Sequence, residues 1–145
     1  MTDTGSSAAR NVERVYQSPE ITHQRFRTLQ ALGIGPGEAV LDAGCGPGLL
    51  TADLARLAGD RGRVLAVDKN PDMIALARER CAGLPQVAFR QASIERLEDA
   101  DASFDAVSCT QVLLYLEDVP AVLAEMHRAM RPGARIAIVE TDWRG

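Results

Sequence analysis

Short apolar runs alternate with longer amphipathic stretches along most of this chain. Ala39-Val40-Leu41 and Val64-Leu65-Ala66-Val67 are continuous apolar runs of strand length, suited to the buried middle of a sheet. Val87 to Gln91 alternates, with Val87 and Phe89 apolar, and predicts a shorter strand. Phe104 to Cys109 predicts a fourth strand, and Ala134 to Glu140, with Ile136, Ile138 and Val139, a fifth. Between them the pattern is helical. Leu49 to Ala58 predicts one helix, ended by Gly59. Asn70-Pro71 starts the next by a cap followed by proline, with Met73, Ile74, Leu76, Ala77 and Cys81 apolar and Gly83 closing it. Val119 to Met130 predicts a third, carrying Val122, Leu123, Met126 and Met130 on one side, with Arg131-Pro132-Gly133 as its stop. Ser93 to Leu97 reads as a helical turn. Upstream, residues 1–7 are small and polar and predict no element. Ala8 to Gln17 predicts a short helix, and Ser18-Pro19-Glu20 starts another that runs to Gly33, with Ile21, Phe26, Leu29 and Leu32 roughly on one face. Tyr16, Gln24 and Arg25 of these helices either reach the mouth of a site on the sheet or form a solvated face.

Strands alternating with helices imply a mostly parallel sheet covered on both faces, an α/β fold. Right-handed crossovers favour a doubly wound sheet in the order 3-2-1-4-5, preceded by the N-terminal helices. The expected division is a helical segment over 1–34 and the sheet domain over 35–145. Ligands in such sheets bind at the carboxyl ends of the strands, near the switch between strands one and four.

One such end carries the chain's most informative stretch, Val-Leu-Asp-Ala-Gly-Cys-Gly-Pro-Gly from Val40 to Gly48. Strand, glycine loop and helix form the first half of a βαβ unit, with the free N–H groups of a helix N-terminus behind the loop. The dinucleotide fingerprint is G-x-G-x-x-G, and its third glycine would fall on Leu49. Here the third glycine is Gly48, and Asp42 precedes Gly44 by two positions. A tight strand-to-helix turn with no ligand is the simpler reading of the loop alone. Asp68 ends strand two, 24 residues beyond Gly44. An acid there can accept hydrogen bonds from both hydroxyls of an adenosine ribose, or cap the turn at Asn70-Pro71. Lys69 and Met73 follow it and can flank an adenine; Met73 serves equally well as core.

The string Asp42-x-Gly44-x-Gly46-x-Gly48 resembles the first motif of class I S-adenosylmethionine (SAM) dependent methyltransferases, in which the loop wraps the methionine part of SAM. The resemblance extends from about Gly35 to Glu140, through Val87–Leu97, Ser103–Val107, Leu113–Asp118 and Arg131–Arg135 in the family's order and spacing. It implies a Rossmann-like fold, SAM as cofactor and a small-molecule methyl acceptor. It also implies that Asp42 stabilises the loop and helps to hold the methionine amino group, and that Thr110 and Gln111 lie near the sulfonium. The segment after strand three usually reads Gly-Asp-Ala in the family, its Asp contacting the adenine amino group. This chain has Ala92, Ser93 and Ile94 there. Ser93 can accept one hydrogen bond, and the Ile94 N–H can reach an adenine nitrogen. No catalytic base is assigned, because the sulfonium already activates the methyl group and the protein mainly aligns the reactants. Asp142 and Trp143 contact the acceptor or are loop residues.

Composition narrows the classes. The chain has 145 residues, 46% of them apolar, which suits one globular domain. A net charge of −4 disfavours a mainly electrostatic nucleic-acid binder, and no apolar stretch reaches the roughly 18 residues of a membrane span. Cys45, Cys81 and Cys109 have neither metal-site nor disulfide spacing, so the expected location is the cytoplasm. Cys45 reads as a small apolar filler under the loop. The sequence stops before the antiparallel strand pair common in the family, so strand five is the expected sheet edge, with Arg135 as its charged gatekeeper and self-association as its risk. Two other functions compete: a non-catalytic or truncated SAM-binding domain acting within a larger assembly, and a nicotinamide oxidoreductase, which the glycine spacing disfavours.

Overall fold

A computed structural model of the protein describes residues 4–141. Five parallel strands form one sheet: β1 (Ala39–Ala43), β2 (Arg63–Asp68), β3 (Val87–Gln91), β4 (Phe104–Thr110) and β5 (Met130–Val139), in the order β3-β2-β1-β4-β5. The order matches the expectation. β1 is buried along its whole length, as a central strand covered on both faces must be.

Helices α1 (Thr4–Tyr16), α2 (Pro19–Leu32), α3 (Leu49–Ala58), α4 (Pro71–Arg80) and α5 (Val119–Ala129) complete the fold. On one face Val122, Met126 and Ala129 of α5 pack with Leu41, Phe104 and Val107. On the other, Leu32 of α2 and Leu54, Ala55 and Ala58 of α3 pack with Val40, Val64 and Ala106. A third group joins Ile74 and Ala77 of α4 to Ala66 and Cys45. α1 packs against α4 and α2.

The cap signals act as read. Ser18 Oγ accepts the Ile21 amide at 3.4 Å, Asn70 Oδ1 accepts the Asp72 amide at 2.9 Å, and Gly33 ends α2 in the left-handed conformation. Four local readings differ. α1 begins at Thr4 rather than Ala8. α4 stops at Arg80, with Cys81 as its cap, before Gly83 is reached. Ser93 to Leu97 is a turn without a helix. Phe26 is 57% exposed although it is apolar, while Thr28, on the buried side of α2, returns its hydroxyl to the Gln24 carbonyl at 2.9 Å.

The fifth strand differs most. Arg131-Pro132-Gly133 is not a separate turn ahead of it. The strand starts at Met130, paired with Phe104, and the register skips before the Ala106–Arg135 pair resumes it. Pro132 and Gly133 occupy that irregularity, where proline needs no ladder donor and Gly133 takes φ 79°. Arg135 does not guard the open edge. Its guanidinium grips Glu38 at 2.8 Å and the Leu32 and Gly33 carbonyls, tying β5 to the turn before β1. Ile136 and Ile138 remain 39% and 42% exposed on that edge.

Candidate functional site

The carboxyl ends of β1, β2 and β4 converge on a cavity of about 410 Å³, a volume typical of small-molecule sites. Gly44, Gly46, Asp68, Lys69, Met73, Ser93, Ile94, Thr110 and Gln111 all line it. Asp42 and Gly48 do not; they support it from beneath. A smaller cavity of about 40 Å³ adjoins it, sharing Tyr16, Gly44 and Thr110 and lined also by Gln24, Arg25, Asp42 and Cys45.

Asp42 is the keystone of the floor. It is 2% exposed, and its two oxygens accept hydrogen bonds from the hydroxyls of Thr51 on α3 and Ser108 on β4, at 2.7 and 2.8 Å. One carboxyl thus fastens the helix after the loop and the neighbouring strand to β1. Burial pushes its pKa above the ordinary carboxyl range, the two hydroxyls pull it back, and Asp68 nearby adds to the rise.

The glycines divide by task. A Cβ on Gly48 would stand 2.8 Å from the Ala77 backbone, so this position lets α3 start directly against α4. A Cβ on Gly44 would meet Val112 at 2.2 Å, so the loop and the exit of β4 close on each other. Gly46, by contrast, has nothing within 4 Å of that point, and a side chain there would stand in open space beside the cavity.

Asp68 caps the turn at Asn70, one of the two alternatives its position suggested, and grips the glycine loop as well. One oxygen accepts the Gly46 amide at 3.0 Å and the other the Asn70 amide at 2.9 Å, so it holds the glycine loop and the start of α4 in place. It also lines the cavity, and each carboxylate oxygen keeps a further lone pair for a ligand hydroxyl.

The outer wall comes from distant parts of the chain. Val12 and Tyr16 reach it from α1, and Val112, Tyr115 and Leu116 from the segment after β4, which contains a short 3₁₀ turn at Leu113–Tyr115. Arg80 seats α1: its guanidinium pairs with Glu13 and also donates to the Pro47 carbonyl in the glycine loop at 3.3 Å. Burial raises the Tyr16 phenol pKa, helped by Tyr115, Asp68, Asp42 and Glu140. Arg25 is committed elsewhere, to Asp53 at 3.0 Å, although it lines the smaller cavity.

At the end of β4, Gln111 holds a left-handed backbone, φ 59°, uncommon for a residue with a side chain. Thr110 Oγ1 is buried there without a hydrogen-bond partner among the described residues. The cysteines offer no nucleophile. All three are buried and unpaired; burial holds every thiol protonated, that of Cys109 at a pKa of about 12. No group of three or more His, Cys, Asp or Glu suited to a metal ion occurs among the described residues. Asp142 and Trp143 lie outside those residues.

Sequence reading missed Val12, Asn70, Ala92, Glu95, Val112, Tyr115 and Leu116 as wall residues. Val112 to Leu116 carried a usable signal, since they directly follow Thr110 and Gln111 at a strand's carboxyl end. Val12 carried none; it arrives through the docking of α1.

Residues 40–133 match the family described as a methyltransferase domain, and the chain belongs to that family. It is 39% identical over 115 residues to an uncharacterized 37.1 kDa protein in transposon TN4556 of Streptomyces fradiae, covering 79% of this chain and 33% of that protein. It is 35% identical over 116 residues to the ubiquinone/menaquinone biosynthesis C-methyltransferase UbiE of Teredinibacter turnerae, covering 78% of this chain and 47% of the relative. The chain therefore spans between a third and a half of the length of these relatives. The crystal structure of a SAM dependent methyltransferase from Aquifex aeolicus superposes with a TM-score of 0.78 at 24% identity, over 92% of this chain and 71% of that one, and shares the fold. The resemblance seen in the sequence to class I SAM-dependent methyltransferases is borne out, as is the Rossmann-like sheet.

Proposed function

We propose that this chain binds SAM in the large cavity and serves the transfer of its methyl group to a small-molecule acceptor. The observation that carries the reading is the convergence of Gly44, Gly46, Asp68 and Thr110 on one cavity at the switch between β1 and β4, in a chain of the methyltransferase-domain family. The cavity suits the cofactor on three counts. Gly46 leaves open space where a side chain would intrude. Asp68 keeps unused lone pairs for a ribose diol. Thr110 offers a buried hydroxyl without a protein partner.

In this reading Asp68 orients the ribose, Met73 and Lys69 flank the adenine, and Ser93 with the Ile94 amide meets its edge. Thr110 and Gln111 face the sulfonium end. The smaller cavity takes the amino-acid end, with Asp42 acting through the loop it anchors. Bound SAM supplies a methyl group already activated on a positive sulfur. The protein's share is alignment and exclusion of water. Helix α1 acts as a cover over the cavity, through Val12 and Tyr16. The apolar wall of Val12, Val112, Tyr115 and Leu116 favours an acceptor with an apolar body.

Among the described residues no helix is long and apolar enough to cross a membrane. A cytoplasmic location accords with the three unpaired cysteines. The exposed Ile136 and Ile138 support self-association through the β5 edge.

The test incubates the chain with SAM and a panel of small apolar acceptors and follows release of the demethylated product, S-adenosylhomocysteine (SAH). SAH that accumulates only with an acceptor present supports the reading. SAM binding without acceptor-dependent SAH favours a SAM-binding domain with no activity of its own.

A further inference from the structure

The segment that leaves β4 is held by the residues that leave β5, and one side chain dominates the contact. Glu140 Oε1 accepts the amides of both Val112 and Leu113, at 3.2 and 2.9 Å. Either side of it, the Gln111 amide donates to the Val139 carbonyl at 2.7 Å, and the Gln111 side-chain amide donates to the Thr141 hydroxyl. These four contacts, from Gln111–Leu113 to Val139–Thr141, join the two exits as a clasp.

The clasp answers a local need. Val112 stands at the N-cap of the 3₁₀ turn Leu113–Tyr115 and supplies no capping side chain. Without Glu140 the Val112 and Leu113 amides would lose their acceptor. The strained Gln111 backbone persists because the surrounding bonds over-determine it. Val112 in turn sits against Gly44, so closely that no Cβ fits between them. A shift of the clasp is therefore a shift of the wall against the glycine loop.

We infer that Glu140 is a positioning residue: by holding the Val112 and Leu113 amides it sets the spacing between the glycine loop and the outer wall, and so the affinity of the cavity for its ligand. The inference deepens the proposed SAM-binding reading and rests on it for the ligand. Glu140 does not line the cavity and acts through Val112 and Gln111. Its other oxygen, Oε2, is buried with no partner among the described residues. The second oxygen thus contributes no bond to the clasp, and an amide side chain, which keeps one carbonyl acceptor, preserves its geometry.

The experiment measures two quantities on the full chain: hydrogen exchange of individual backbone amides without ligand, and SAH affinity by calorimetry. Glu140→Ala should speed exchange at Val112 and Leu113 about tenfold or more while β1 and β2 keep their protection, and should weaken SAH about tenfold. Glu140→Gln should restore both to within about threefold of wild type. Glu38→Ala is the control for general destabilisation. It breaks the Arg135 contact at the opposite end of the sheet and should leave SAH affinity unchanged. Where Glu140→Ala does not fold, Glu140→Asp, one methylene too short for both amides, replaces it with the same expected direction. Unchanged exchange at 112 and 113 in the Ala or Asp variant overturns the inference. So does an equal loss of SAH affinity in Glu140→Gln and Glu140→Ala, which would make charge rather than the clasp responsible. Failure of the wild type to bind SAH counts against the cofactor reading, while the exchange data still decide whether the clasp exists.

Discussion

The floor of the cavity is made by β1 and the loop that follows it, with buried Asp42 bonded to buried Thr51 and Ser108. Its outer wall is made by α1 and the segment after β4, where Tyr115 is 76% exposed and Val12 and Leu116 line the cavity. The floor is one continuous stretch of sequence, and its contacts are buried. The wall is assembled from separate parts of the chain, held by a side-chain ion pair, Glu13 to Arg80, and by side chains reaching to backbone groups, Arg80 to Pro47 and Glu140 to Val112 and Leu113. The difference follows from what each part must do. A floor that receives the same ligand each time gains from rigidity. A wall beside the entrance must yield when a ligand passes, and regions that open are drawn from the less stable part of a fold.

Stability measurements can break this comparison. Asp42→Ala should be the most damaging change, because it orphans two buried hydroxyls. The expected cost is about 4 kcal/mol, read from urea denaturation, a large share of the stability of an ordinary domain. A cost below about 1 kcal/mol would mean that the floor is not held through Asp42. The same carboxyl predicts a pH signature. Its folded pKa is raised, so the fold prefers the protonated form. That contribution is fully present below the ordinary carboxyl range and is lost as pH rises through the raised value. Relative to Asp42→Asn, which cannot titrate, the wild type should therefore gain stability as pH falls through that window.

Gly48→Ala comes next. Its positive φ and the crowding against Ala77 together should cost about 2–4 kcal/mol, with or without ligand. Gly46→Ala, with a positive φ but open space, should cost only about 1–2 kcal/mol and act mainly on ligand affinity. Equal stability losses in the two would erase the division between packing and ligand-facing glycines.

The smallest effect belongs to the wall. Arg80→Ala releases α1 from α4 and from the glycine loop. The loss should lie within about 1 kcal/mol in stability and about fivefold in SAH affinity. A loss as large as that of Asp42→Ala would show that the wall is as rigid as the floor.

The same division explains what could be read in advance. The first four strands, the Asn70-Pro71 and Ser18-Pro19 starts and the glycine loop are local patterns, and each appears where the pattern put it. Asp68 was legible as an acid at a strand end, but its grip on Gly46 was not, because that bond depends on how β2 sits beside β1. Pro132-Gly133 looked like a turn because both residues favour one; only the pairing of Met130 with Phe104 turns it into a break within a strand. Arg135 reads in the sequence as an edge gatekeeper and Glu140 as an ordinary strand-end acid; their grips on Glu38 and on Val112 exist only once the sheet is formed. Contacts between residues far apart in sequence leave no periodicity to find.

The central claim is that the cavity is shaped for SAM and not for a dinucleotide. Titration calorimetry of the wild-type chain with SAH, and separately with NAD, tests it most directly. One equivalent of SAH should bind, NAD should give no measurable binding, and Asp68→Ala should weaken SAH by about 30-fold or more through loss of two hydrogen bonds to a charged acceptor. Binding of NAD more tightly than SAH, or a folded chain that takes up no SAH, would contradict the account.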